Sequence, residues 1–174
     1  LFRSTSHAHN KRMNRKMELL YREAEYFTVL RALLGNDLSL AEQEKLTAGW
    51  KHILTNQFHD IIPGSSIFEV YEDSKKDYEW IATQGEEVEA GFLADAVTEE
   101  ASVYTVFNSN SFVRKGGSVL LLGAAGNSAY LEDGTALKSQ ETEGGLLVEI
   151  PEVPAMGTAT VVLKKAPAEE NTAF

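Results

Sequence analysis

Met13, Met17, Leu20, Ala24, Phe27, Leu30 and Leu34 recur at steps of three and four residues. Only a helix of 3.6 residues per turn gathers such a series onto one face, whereas a strand would scatter it over two. Gly35 then reads as the residue just past the helix end, where a left-handed backbone is needed. Ser39 with Glu42 three residues later is a capping box, and Leu46, Trp50, Ile53 and Leu54 follow on one face of a second helix. That helix is expected to stop near Asn56–His59, ahead of Pro63. Ser66 with Glu69 repeats the capping signal, and Val70, Tyr71, Ser74, Tyr78, Ile81 and Ala82 mark a third helix, expected to fray around Gly85 and to reach about Ala96. Three helices with short connections make a bundle over residues 1–97.

Beyond residue 97 the period changes. Val103–Phe107, Ser118–Leu122, Ala129–Leu131, Leu146–Ile150 and Thr158–Leu163 are short β-branched or apolar runs, parted by Asn108-Ser109-Asn110, Gly116-Gly117, Asp133-Gly134 and Gly144-Gly145. Turn residues that tolerate positive φ between such runs imply a small antiparallel sheet or sandwich over residues 98–174. From Lys164 on no apolar period remains, and a mobile tail is expected. The expected fold class is therefore α+β, a three-helix bundle followed by a small antiparallel sheet or sandwich, joined near Thr98–Ala101.

Charge follows the same division. Before Gln84, 11 basic residues nearly balance 12 acidic ones; from Gln84 on, five stand against 14. The formal charge of −10 leaves no cationic field for phosphate, so nucleic acid is not an expected partner. A hydrophobic fraction of 43% and a charged fraction of 24% suit a globular chain rather than a disordered or membrane one. With no cysteine among its 174 residues, the chain has neither disulfides nor thiolate ligands, so any metal must be held by His and carboxylate. The first residues, Leu1-Phe2-Arg3-Ser4-Thr5-Ser6, include no Met and no apolar run of signal length, which reads as a cut inside a longer protein. Secretion is neither required nor excluded, and a cytoplasmic location is the expectation.

The sequence contains no P-loop, Rossmann glycine pattern, G-x-S-x-G or HExxH. One stretch stands apart: Asn56-Gln57-Phe58-His59-Asp60-Ile61-Ile62-Pro63-Gly64-Ser65-Ser66, where ionisable and turn-forming residues collect between two helices. A neutral imidazole at a helix exit can ligate a divalent metal, and a neighbouring carboxylate can accept sugar hydroxyls. The same residues also suit a structural cap, with His59 near the negative helix end and Asp60 bonding turn amides. His7-Ala8-His9 is a pair without a third ligand and reads as surface histidines. Arg12, Arg15 and Lys16 with Glu18, Glu23 and Glu25 read as a solvated helix face, and Tyr21, Tyr26, Phe27, Trp50, Tyr71, Tyr78 and Trp80 as helix packing.

The run Gln57 to Ser66, followed by Val70-Tyr71 and Asp73, resembles the metal-ligand segment of the α-mannosidases of glycoside hydrolase family 38. Thr5-Ser6, Lys11-Arg12, Asn14-Arg15, Glu18 and Glu23-Ala24-Glu25 resemble the start of that family's middle helical domain. Val106-Phe107-Asn108 and Val153-Pro154-Ala155-Met156-Gly157 resemble the start of its β domain, although Ser109 stands where a Pro often follows. The resemblance implies that the chain is a fragment of a larger retaining enzyme. It implies that His59 is one ligand of an active-site zinc or other divalent metal, and that Asp60 contacts mannose hydroxyls. The nucleophile, the general acid and the remaining ligands would come from a missing N-terminal catalytic domain. No catalytic residue is therefore expected here, nor a tightly bound metal in the isolated fragment, which should be inactive. The expected partners are a mannose-containing oligosaccharide and that catalytic domain, without a membrane, and a second copy of the chain through unpaired strand edges. The rival reading is a non-catalytic helical and β module for carbohydrate or subunit binding.

Overall fold

The structure is a computed structural model that describes residues 8–36, 39–96 and 102–165. Its elements run α1 (Ala8–Leu33), α2 (Leu40–Asn56), α3 (Phe68–Ala96), β1 (Val103–Asn108), β2 (Arg114–Leu122), β3 (Asn127–Leu131), β4 (Ser139–Thr142), β5 (Gly145–Val153) and β6 (Gly157–Lys165). This is the expected α+β arrangement of three helices followed by antiparallel sheets. The chain divides into two compact units, Leu1–Val97 and Thr98–Phe174. The junction anticipated at Thr98–Ala101, the residues His7 and Thr5-Ser6, and the tail beyond Lys165 lie outside the described residues. No described helix is long and apolar enough to cross a membrane.

In the helical unit, Met17, Tyr21, Ala24, Leu46, Ile53, Tyr78, Ile81 and Val88 form one core. The buried stripe of α1 is Asn10, Asn14, Met17, Tyr21, Ala24 and Thr28, a four-three repeat offset from the purely apolar series of the sequence. Its first two members are polar, and what they bond to decides where the candidate site sits. Leu34, expected on the buried face, is 71% exposed because α1 has already ended. There Gly35, at φ 91°, donates its N–H to Ala32 O while Asn36 donates to Arg31 O, closing the helix with paired carbonyl caps.

Ser39 caps α2 as expected, its side chain accepting the N–H of Glu42. The Glu42 carboxylate turns instead to Arg31, 2.7 Å away, and ties α2 to the end of α1. Leu54, expected on one face with Leu46, Trp50 and Ile53, points outward, since Leu46, Gly49, Ile53 and Asn56 form the buried line of α2. Gly49 lies against the Tyr21 ring, so a Cβ there would overlap that side chain. The fraying expected at Gly85 does not occur. The residue is buried within α3, and its bare backbone lets Leu20 and Tyr21 of α1 approach closely. The second capping box is also replaced, because α3 begins at Phe68 and the Ser66 N–H finds the Tyr71 hydroxyl rather than Glu69.

Among the described residues the β unit contains two three-stranded antiparallel sheets, ordered β1-β6-β3 and β2-β5-β4. Leu121, Leu146, Val148, Ile150 and Val153 of one sheet share a core with Ala129, Val161 and Leu163 of the other, the construction of a small sandwich. Asn108 locks its corner: the buried amide donates to the carbonyls of Phe112, Val153 and Pro154, while Oδ1 accepts the N–H of Asn110. Two expectations change. Gly116-Gly117 is no inter-strand turn but part of β2, where Lys115 pairs with Glu152 and Gly117 with Ile150 of β5. Ser139–Thr142 was not foreseen and forms edge strand β4, joined to β5 through Glu143-Gly144. Lys164 and Lys165, assigned to the tail, complete β6.

Candidate functional site

At the end of α2 the chain enters a connection closed by local backbone bonds. Gln57 and Phe58 donate to Leu54 O and Thr55 O, Ile61 and Ile62 both donate to Phe58 O, and Gly64 donates to Ile61 O. Gly64, at φ 89°, makes the reversal after Pro63 that no β-carbon residue adopts without strain. This path bonds the amides of Gln57, Phe58, Ile61, Ile62 and Gly64 and leaves two consecutive side chains projecting from it.

Those two are His59 and Asp60. Their side chains are 77% and 60% exposed, and His59 Nε2 lies 3.4 Å from Asp60 Oδ2. The Phe58 ring, itself exposed, lies 4.3 Å from the imidazole, centroid to centroid. A cap sealed within its own turn would hide its polar atoms, whereas this pair presents them to solvent. One imidazole and one carboxylate are a partial donor set. Among the described residues no group of three or more His, Cys, Asp or Glu could hold a metal ion. The pair fits a metal only as a contributor to a site whose other ligands lie elsewhere.

Beneath the loop runs a polar network that the sequence pattern did not reveal. Asn10 Nδ2 donates to Ser74 Oγ at 2.9 Å, Ser74 Oγ donates to Asn56 Oδ1, and Asn56 Nδ2 donates to Asp77 Oδ2 at 3.1 Å and to His52 O at 3.0 Å. Asp77 also faces His52 Nδ1 at 3.2 Å. A second line starts at Tyr78, whose hydroxyl donates to Asn14 Oδ1; Asn14 Nδ2 and Gln57 Nε2 then both donate to Glu18 Oε1. Burial pushes the Tyr78 phenol up to about 12, which keeps it the donor. Glu18, read from sequence as part of a solvated face, is thus half buried and bonded to the residue that opens the loop.

The other candidates separate. His9 sits exposed on α1, while Tyr21, Tyr26, Phe27, Tyr71 and Tyr78 pack as expected. Trp50 is half-buried, edge-on to Tyr21, and donates to Glu25 at 2.7 Å. Trp80, expected in the packing, is 40% exposed beside His52. The signal that could have revealed the network is the placement of Asn10 and Asn14 at the four-three spacing of Met17, Tyr21 and Ala24, continuing the buried stripe with amides.

The sequence pattern described as "Alpha mannosidase middle domain" matches residues 4–95, which contain the bundle, the loop and the network. The chain belongs to the α-mannosidase middle-domain family. Its curated relatives include alpha-mannosidase 2C1 of Mus musculus, 37% identical over 81 residues, and alpha-mannosidase 2C1 of Homo sapiens, 36% identical over 81 residues. In each comparison the aligned region is 47% of this chain and 8% of the relative. The chain thus spans a small part of the length of those relatives. In this middle domain, the loop between the second and third helices is where ionisable side chains, exposure and backbone anchoring coincide.

Proposed function

We propose that this chain is part of a retaining α-mannosidase that hydrolyses terminal α-mannosidic bonds of oligosaccharides, and that its helical domain supplies one wall of the active site. His59 serves as one ligand of a divalent metal, zinc or another ion, and Asp60 accepts hydrogen bonds from mannose hydroxyls. The reading is supported chiefly by the loop of an α-mannosidase middle domain presenting an adjacent imidazole and carboxylate to solvent, 77% and 60% exposed.

Chemically, the imidazole offers a neutral nitrogen lone pair, and the carboxylate offers acceptor oxygens matched to vicinal hydroxyls. When bound, the metal would hold sugar hydroxyls and favour the distorted ring that a glycosidase transition state requires. The attacking carboxylate and the general acid belong to a domain outside this chain, so the fragment alone is inactive. Its own contribution is binding and orientation.

The test is an Asp60→Ala substitution in the full-length protein containing this chain, assayed on an aryl α-mannoside. Loss of a charged hydrogen bond of about 1.5–3 kcal/mol lowers kcat/KM roughly 10- to 100-fold. An unchanged kcat/KM in a normally folded variant overturns the sugar contact.

A further inference from the structure

His59 and Asp60 have little packing of their own. Their exposed side chains touch each other and Phe58, so their location is set by the backbone that carries them. That backbone is gripped at both ends from one helix. At the entry, Asn56 is the last residue of α2 and 1% exposed, with its amide oxygen held by Ser74 and its amide nitrogen by Asp77. At the exit, the hydroxyl of Tyr71, 8% exposed, accepts the Ser66 N–H at 3.0 Å and reaches the Ile61 carbonyl at 3.5 Å, the outer limit of a hydrogen bond. Tyr71, Ser74 and Tyr78 follow one another at helical spacing on α3, with Asp77 beside them, so one helix face fixes where the loop leaves and where it returns.

Simple packing does not call for this chemistry. Apolar groups of the same shape would fill the space at Asn56 and Ser74 without needing partners, whereas each buried amide or hydroxyl is costly unless bonded. What the polar version adds is direction: each bond fixes one atom of the loop relative to α3. A ligand and a substrate contact need placement to about 0.5 Å, and a misplacement of about 1 Å costs on the order of 100-fold in rate.

We infer that Tyr71 and Asn56 are positioning residues for the His59–Asp60 pair, holding the loop in register on α3 without touching metal or sugar. The inference rests on the function proposed above for His59 and Asp60. Tyr71→Phe removes one oxygen and keeps the ring in its place; Ser74→Ala removes the hydroxyl donor to Asn56.

Two measurements decide it. In the 174-residue chain, amide exchange in Tyr71→Phe accelerates roughly tenfold or more at Ile61, Ile62 and Gly64, while Met17 and Ile53 in the core keep their protection. Ser74→Ala loosens the same loop from its entry. Unchanged loop exchange in both variants overturns the inference, and so does a uniform acceleration that includes Met17 and Ile53, which marks a merely structural role. In the full-length protein, Tyr71→Phe lowers kcat/KM for an aryl α-mannoside roughly tenfold or more with unchanged melting. Full activity in Tyr71→Phe beside an inactive His59→Ala refutes positioning while the site survives. Full activity and metal content in His59→Ala refutes the site itself, and the positioning role with it, whatever the loop exchange shows.

Discussion

Replacing Gly49 by alanine adds one methyl group where the bundle has no room for it. A Cβ at that position would overlap the ring and hydroxyl of Tyr21, a side chain with no exposed surface whose hydroxyl donates to Ile81 O at 3.0 Å. Tyr21 cannot swing into solvent without leaving the core, so α1 and α2 must separate or the ring must give up its bond. Overpacking of this kind costs ~1–3 kcal/mol, and a lost buried hydrogen bond adds ~1 kcal/mol. Against this, alanine is favoured over glycine in a helix by ~1 kcal/mol. The net expectation is a loss of roughly 1–3 kcal/mol, read as a lower urea midpoint at constant slope by far-UV circular dichroism. Gly91→Ala supplies the control, because among the described residues, the helix's own backbone aside, the one heavy atom near its added Cβ is a side-chain atom, Glu42 Oε1 at 3.3 Å, whose ion pair with Arg31 need shift by only a few tenths of an ångström. That variant should be neutral or more stable by up to ~1 kcal/mol. If Gly49→Ala matches Gly91→Ala in stability, the close approach of Tyr21 to α2 is wrong.

Glu89 has a buried carboxylate oxygen with no hydrogen-bond partner among the described residues, and burial, then Glu23 and Glu86, pushes its carboxyl up to about 7. Because the folded value lies above the unfolded one, its stabilising contribution is complete below about pH 4.5 and is lost as pH rises through about 7. Urea midpoints should therefore fall less between about pH 5 and about pH 8 in Glu89→Gln than in the parent, and equal slopes would contradict the assignment. Among the described residues the strands β1, β2 and β4 each pair on one side only, whereas β3 is bridged on its outer side through Tyr130 to Ala136, and Leu120 and Leu122 of β2 are exposed. Sedimentation should show concentration-dependent self-association that a Leu120→Lys charge on the β2 edge weakens, and a strict monomer at high concentration would refute it.

Much of this architecture was legible because helical period and turn chemistry are local. Ser39, Gly35 and the apolar steps of the first helix identify where α1 ends and α2 begins through interactions within a few residues. The misses share a different cause. Asn10 bonds Ser74 across 64 residues of sequence, and no window along the chain reveals that an amide at a core position has a partner. Gly85 breaks helix propensity locally, yet its bare backbone is what allows Leu20 of α1 to approach, so packing outweighs propensity. Ser139–Thr142 forms a strand with almost no apolar content, because an edge strand borrows its order from β5. At the candidate site the sequence marks the exposed pair, His59 and Asp60, by its texture. It hides the anchors Asn56, Ser74 and Tyr71, which look like an ordinary helix end and an ordinary helix face.

Whether His59 is a ligand rather than a cap is decided by the metal content per folded molecule of His59→Ala. A stable protein site uses three or four protein ligands, so removing one imidazole from a completed site lowers metal occupancy while the bundle, to which the exposed side chain contributes little packing, melts where the parent does. With His59 as a ligand, full-length His59→Ala protein shows normal melting of the helical domain, depleted metal and no hydrolysis of an aryl α-mannoside. A variant that melts early yet keeps metal and activity per folded molecule contradicts the ligand role.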